Sequence, residues 1–212
     1  MKKLLHDKVQ HIFRSSTEHE VNEFVEVFNN NSRRFGFTSD FHVNAFLAEI
    51  DEEMGSHLKP TRENLNYSCG ALKALFGYYK KNPKAAKQDG RCQGHKANQR
   101  AIANKAYGGR IKNHLHNDGW MFRGGGYIQL TGRGNYKQIA DTLTLVMGIP
   151  FTTEDLASEM SSVTGALLAS MAFFLAHKLY KAKTIDQMTA IINKKTPTYK
   201  QRKKLYLYVA SL

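Results

Sequence analysis

With 212 residues, 42% of them hydrophobic and only four prolines, the chain can bury a substantial core, which excludes a disordered or collagen-like protein. Its 31 Lys and Arg against 18 Asp and Glu leave a net charge of +13, so a macromolecular partner is expected to be a polyanion: nucleic acid, an anionic membrane face or an acidic wall polymer. The only two cysteines, Cys69 and Cys92, are too few for a disulfide-stapled scaffold.

In chain order, residues 2–14 carry Leu4, Leu5, Val9, Ile12 and Phe13, the pattern of a short amphipathic helix. Met1 to Leu5 hold two lysines but no apolar run fit for a signal peptide. A second helix is expected from Thr17, where Glu20 completes a capping box, through Val21, Phe24, Val25 and Phe28. After a polar break at Asn29–Gly36, Val43, Phe46, Leu47, Ile50 and Met54 mark one face of a third helix, capped by Ser39 or Asp40 and ended by Gly55. Glu53 lies on or beside that face, in the last turn, where the helix dipole disfavours negative charge. Glu49, Asp51 and Glu52 stand close by as an exposed acidic face, and their repulsion favours a protonated Glu53, as a general acid requires. Ten residues on, Glu63 sits in the polar run Glu-Asn-Leu-Asn-Tyr-Ser, and two carboxylates in unlike surroundings can divide acid from base roles.

Leu72, Leu75, Phe76 and Tyr79 predict a further helix, closed by Lys80-Lys81-Asn82-Pro83. Lys84–Gln99 reads as an exposed basic loop with some helix, and Ala97–Tyr107 as helix. The glycine-rich segment Arg110–Gly126 is irregular, and only Gly126–Leu130 has any strand character. Ile139–Met147, Thr153–Met160 and Ser161–Tyr180 are three more helices. The uncharged run Met160–Ala176 is short for a membrane span and contains three serines, so it reads as a central buried helix. Thr184-Ile-Asp-Gln187 is a capping box whose helix turns Ile185, Met188, Ile191 and Ile192 inward, and Tyr199–Leu212 forms a last helix. No repeat or linker divides the chain, so a single, mainly α domain over 1–212 is expected, held in a reducing cytoplasm.

The segment Asp118-Gly-Trp-Met-Phe-Arg-Gly-Gly-Gly-Tyr-Ile-Gln-Leu-Thr-Gly-Arg-Gly-Asn-Tyr136 is the most distinctive. Three successive glycines let the backbone pass close to another loop or a ligand. Tyr127, Gln129, Thr131, Asn135 and Tyr136 offer the hydroxyls, amides and rings that grip a sugar. An Arg-Gly-Gly-Gly run equally suits a nucleic-acid loop. Cys92-x-x-His95 with His114-x-His116 has zinc-like ligand types in a loose loop context, and solvent-facing histidines are the preferred reading. Trp120 and Tyr107 are expected to pack rather than to stack on sugars.

Together, Phe46–Gly55, Glu63–Ser68, Ile102–Arg110, Asp118–Trp120 and Arg123–Tyr136, with Ile192-Asn193 and Gln201-Arg202 later, resemble glycoside hydrolase family 19 and, more narrowly, its bacteriophage endolysin branch. The resemblance covers about Phe24 to Arg202 and implies a lysozyme-like, two-lobed fold with a substrate cleft. It implies Glu53 as general acid, Glu63 as the base that activates water, and Thr131 as the hydroxyl that helps hold that water. Gln129, Tyr127, Asn135, Tyr136, Asn193 and Arg202 would bind sugar or brace the acid. The implied reaction is inverting hydrolysis of β-1,4 linkages between amino sugars of peptidoglycan, with chitin the alternative substrate. No cofactor or metal is implied. A monomer with electrostatic attraction to the anionic cell envelope is expected, kept in the host cytoplasm until its release to the wall. Nucleic acid is not an expected partner; a basic nucleic-acid module is the competing class. The chain departs from the family pattern at Glu52, at Met54-Gly55-Ser56 and at Lys194-Lys195.

Overall fold

The computed structural model describes residues 3–212, which contain thirteen α-helices and one 3-10 turn. These are α1 (His6–Ile12), α2 (Glu18–Asn31), α3 (Asp40–Met54), α4 (Cys69–Leu75), α5 (Gly77–Lys81), α6 (Pro83–Asp89), α7 (Gln99–Tyr107), α8 (Asp118–Met121), α9 (Arg133–Met147), α10 (Thr153–Glu159), α11 (Val163–Ala176), α12 (Ile185–Asn193) and α13 (Tyr199–Ser211). Among the described residues, β structure is confined to isolated bridges, including one between Gly125 and Leu130. The mainly α class expected from the sequence therefore holds, as does the lysozyme-like all-α character. Lys2, at the start of the first predicted helix, lies outside the described residues.

Local chemistry places the helix ends. Thr17 and Glu20 form the expected capping box of α2. Ser39, not Asp40, caps α3, and Gly55 ends it in the left-handed region at φ 66°. The Thr184 box forms only in part: its hydroxyl accepts from Gln187 N, while the Gln187 side chain instead accepts from Lys183 N. The helix predicted through Leu72–Tyr79 is broken, because Phe76 takes an extended conformation between α4 and α5. α9 begins at Arg133, earlier than its apolar pattern indicates.

The backbone groups into two compact units, described separately. The first runs up to Thr61 and adds residues 126–128 and 138–212. Its core is aromatic: Phe37 stacks on Phe174 at 4.0 Å and meets Phe46 edge-on at 5.0 Å, while Phe24 and Phe28 continue the cluster. Each such ring, fully withdrawn from water, contributes roughly 2–3 kcal/mol. α11, the uncharged run, is buried along most of its length, and no described helix is long and apolar enough to cross a membrane.

The second unit comprises residues 62–125 and 129–137, around a core of Leu65, Leu72, Tyr79, Ala86, Ile102 and Ala103. Its irregular segment is ordered by one carboxylate. Asp118 accepts from Arg133 Nη2 at 2.8 Å, from Arg133 Nε at 3.0 Å, and from the amides of His114 and Leu115 at 3.0 and 2.9 Å. Arg133 N in turn donates to the Asn113 side chain at 2.7 Å. Burial alone would raise the Asp118 pKa, but Arg133 and the two amides outweigh it and hold the carboxyl below its ordinary value. The unfolded chain therefore takes up this proton at a higher pH than the folded one. The clamp's contribution is complete above about pH 4 and is lost as pH falls through the lower folded value. Asp118→Asn is expected to cost roughly 3 kcal/mol at neutral pH and to flatten the acid limb of the stability curve, measured by urea unfolding across pH.

Candidate active site

Glu49 and Glu53 are four residues apart on α3 and so share one face of it. α13 packs on α3 and delivers Arg202 to both. Arg202 Nη1 donates to Glu49 Oε2, Nη2 donates to Glu53 Oε1 at 2.5 Å, and Nε donates to Thr198 Oγ1 at 3.1 Å. Thr189 of α12 donates its hydroxyl to Glu49 Oε1 at 2.5 Å. Arg202 and Glu49 are buried, with side chains 3% and 5% exposed, whereas the Glu53 side chain is 29% exposed. Glu53 is thus the member of this triad that reaches solvent. Its Oε2 accepts no bond from the described residues.

One cation between two carboxylates leaves an excess negative charge if both ionise. Burial, the largest effect, together with the charge of Glu53, pushes the Glu49 carboxyl up against the pull of Thr189 and Arg202. Burial opposes the Arg202 cation, but Glu53 and Glu49 outweigh it and raise its pKa. A narrow apolar hollow lined by Phe46, Ile50, Ile128, Phe173 and Ile192 lies against Glu49 and Glu53.

This corrects two sequence expectations. Glu49 is not part of an exposed acidic face; it is 4% exposed, because Arg202 and Thr189 supply donors that offset its desolvation. On α12 the inward positions are Ile185, Met188 and Thr189, while Ile191 is 41% exposed. A polar Thr on an apolar face was the available signal for a buried hydrogen-bonding partner.

In the second unit, Glu63 is held by groups distant in sequence. Tyr107 donates its hydroxyl to Glu63 Oε1 at 2.6 Å, and Gly124 N–H donates to Oε2 at 3.3 Å. The Glu63 amide returns a bond to Gly124 O at 2.7 Å. A methyl group at Gly124 would stand 2.8 Å from Gln129 Oε1, 3.3 Å from Glu63 Cβ and 3.4 Å from Thr131 Oγ1. Three of the predicted residues therefore converge on one glycine. Thr131 donates its hydroxyl to Gln129 O at 2.9 Å, and Gln129 itself adopts φ 50°, a strained backbone for a side-chain-bearing residue. Burial and the Glu63 carboxylate both raise the Tyr107 pKa, so its hydroxyl stays a donor. Tyr107, expected to be packing alone, is also a Glu63 partner.

Beneath this group, Arg123 lies over the Trp120 ring at 3.6 Å and donates from Nη1 to Trp120 O at 2.7 Å. Burial, then the neighbouring Arg62, lowers its pKa to about 10. Trp120 is covered by this stacking, in agreement with a packing role.

Tyr127 and Tyr136 do not offer faces to a ligand: both are 0% exposed. The Tyr127 hydroxyl donates to Leu58 O at 2.7 Å and that of Tyr136 to Arg123 O at 3.1 Å, so each braces backbone. Burying a ring whose hydroxyl has found a carbonyl is more favourable than leaving it in water. Asn135 is exposed, with its amide turned back to Thr131 O at 2.8 Å, and Asn193 is exposed at the end of α12. His114 and His116 are exposed, His116 beside Arg100 and Asn117 in an open hollow of the second unit. Among the described residues no group of three or more His, Cys, Asp or Glu side chains is arranged to hold a metal ion.

The class defined to this point is a mainly α protein whose motif residues are gathered into two polar clusters, each centred on a glutamate. Over 190 residues, 89% of this chain and 88% of the relative, it is 27% identical to a glycosyl hydrolase family 19 domain-containing protein of Haemophilus influenzae. No family model matches the chain. The likeness supports a glycoside-hydrolase relationship at the level of the family.

Removing the guanidinium strands Glu49 in an apolar setting. Arg202→Ala is expected to destabilise the fold by roughly 3–5 kcal/mol, and Thr189→Val by about 1–2 kcal/mol, read from urea midpoints at neutral pH.

Proposed function

We propose that the protein is an inverting glycoside hydrolase of family 19 that cleaves β-1,4 linkages between amino sugars of peptidoglycan, as an endolysin-type enzyme. Glu53 is the general acid and protonates the departing glycosidic oxygen. Glu63 is the base that takes a proton from water, which then attacks the anomeric carbon from the opposite face. Inversion requires the two carboxyl groups to stand roughly 6.5–9.5 Å apart across the sugar so that this water fits between. Thr131 and Gln129 help position the water and the ring, and Asn135 and Asn193 contact the glycan.

The observation that carries this reading is the unequal exposure of the Arg202-bound pair: the Glu49 side chain is 5% exposed, that of Glu53 29%. In that arrangement Arg202 and Glu49 act as positioning residues, fixing the orientation of Glu53. Tyr107 plays the same part for Glu63 by occupying Oε1, which leaves Oε2 to the Gly124 amide and to water.

The wall polymer as substrate is supported by charge. From Gln187 to Leu212 the chain has no Asp or Glu, and Lys194, Lys195, Lys200, Lys203 and Lys204 are all exposed. Such a face raises the local concentration of an anionic glycan and falls in effect with added salt. We take the enzyme to work as a monomer without cofactor and to meet its substrate after release from the host cytoplasm.

Glu53→Gln should lower turnover of purified peptidoglycan by roughly 10³-fold, and Glu63→Gln by at least about 10²-fold, with circular dichroism unchanged. Proton NMR of the first products should show the α-anomer. Wild-type rates retained in folded Glu53→Gln, a β-anomer, or cleavage of chitin but not of peptidoglycan would each refute the corresponding part of the assignment. Tyr107→Phe is expected to cost about tenfold in kcat with KM little changed, since it frees the base without touching substrate.

A further inference from the structure

We propose that Cys69 and Cys92 form a thiol pair poised to close a disulfide by exchange with an external disulfide, with His95 accepting the proton of the attacking thiol. The inference is independent of the glycosidase reading, because it concerns a face of the second unit remote in sequence from Glu53 and uses none of the proposed catalytic groups.

These are the chain's only two cysteines, and the fold brings them together. Ser68 and Arg91 pair as a parallel bridge, and Arg91 N–H donates to Tyr67 O at 2.8 Å. The next residue on each side is a cysteine. Neighbouring positions in such a pairing lie about 5 Å apart, inside the Cα separation of roughly 4.4–6.8 Å that a disulfide spans. Gly90 makes the approach possible: a methyl group there would stand 2.7 Å from Cys69 N and 2.9 Å from Cys69 Cα. Cys69 Sγ lies 3.8 Å from both Gly90 O and Arg91 O, over the opposing segment, and burial together with Cys69 pushes the Cys92 thiol up, which is why an adjacent base is needed. Both thiols are free.

The second observation is the histidine. Cys92 and His95 face each other in a tight hairpin with mutual backbone bonds of 3.2 Å. His95 Nε2 is 2.8 Å from Cys92 Sγ; with Nδ1–H donating to Lys96 O at 3.0 Å, Nε2 is left bare to accept the thiol proton, and Lys87 O at 3.2 Å can then receive the new N–H. Cys92 and His95 are exposed, whereas Cys69 is half-buried. Cys92 is therefore the thiol that a soluble disulfide can reach, and Cys69 the one that resolves.

The chemistry balances as ordinary exchange. Cys92 passes its proton to His95 Nε2 and its thiolate attacks one sulfur of the external disulfide. That S–S bond breaks, and the departing thiolate takes a proton to become a thiol. Cys69, deprotonated in turn, attacks Cys92 Sγ and expels the second thiol. Two protein thiols are oxidised and one small-molecule disulfide is reduced to two thiols. The new bond ties the start of α4, six residues beyond Glu63, to the hairpin that precedes α7 and its Tyr107.

The test treats the full-length protein with oxidised glutathione. Titratable thiols under denaturing conditions should fall from two per chain to none. The intact mass should lose two hydrogens with no adduct, the chain should stay monomeric on a non-reducing gel, and dithiothreitol should reverse the change. The melting temperature of the oxidised form should rise by roughly 5 °C. Cys69→Ser should trap one glutathione on Cys92, and His95→Gln should slow the reaction about tenfold without altering the wild-type end point. Persistent glutathione adducts on wild-type protein, disulfide-linked dimers alone, or two thiols surviving treatment would overturn the proposal. The wild-type readings decide it even if a variant does not fold.

Discussion

A single guanidinium, that of Arg202, reaches two carboxylates four residues apart on α3, and the first unit's chemistry depends on that contact. A planar fork can serve two acceptors at once, which an ammonium group cannot do with the same directional control. The cost is desolvation of Arg202 and Glu49 together. It is offset because the donors are filled: Arg202 also reaches Thr198, and Glu49 also takes the Thr189 hydroxyl. Helices α3, α12 and α13 are thereby locked to one another by polar contacts inside an otherwise apolar setting. The Glu53 carboxylate inherits a fixed orientation from partners that never reach solvent.

The second unit solves a similar problem with backbone instead of charge. The Glu63 carboxylate is held by a phenol and a glycine amide, both brought from far along the chain. Gly124 is essential to this because three side chains crowd the place where its own would be. Gly125 is similarly approached by Arg62 and the Tyr136 hydroxyl, at 2.9 and 3.1 Å from a notional methyl. The glycine run is thus a place where side chains close over backbone. The conformational freedom that makes such a run costly in the unfolded chain is what the tertiary contacts recover.

The two glutamates are held by different means, and the acid and base roles proposed for them rest on that difference. One is attached through Arg202 to a buried Glu49 whose carboxyl is pushed up by burial, and the other accepts from neutral donors. The 27% identity with a glycosyl hydrolase family 19 domain-containing protein extends over 89% of this chain and 88% of the relative. The thiol pair at Cys69 and Cys92 adds a covalent option to the same unit that carries Glu63.

Much of the helical order was legible in the sequence, because helix ends are local. The Thr17–Glu20 box, the Ser39 cap and the Gly55 stop depend on hydrogen bonds within a few residues, and the periodic apolar faces needed no partner to be recognised. The motif run Arg123–Tyr136 likewise declared itself through its glycines and amides. What the sequence could not express was which polar groups would be buried, since that depends on what arrives from elsewhere. Glu49 reads as one of four acids on a solvated turn until Arg202, 153 residues away, is laid against it. Tyr127 and Tyr136 read as sugar-facing rings until Leu58 O and Arg123 O claim their hydroxyls. Tyr107 becomes a partner of Glu63, and Cys69 a neighbour of Cys92, only across turns that no periodicity records. Hydrogen-bond satisfaction in a buried setting is a property of the assembled chain, and the tertiary structure alone decided it.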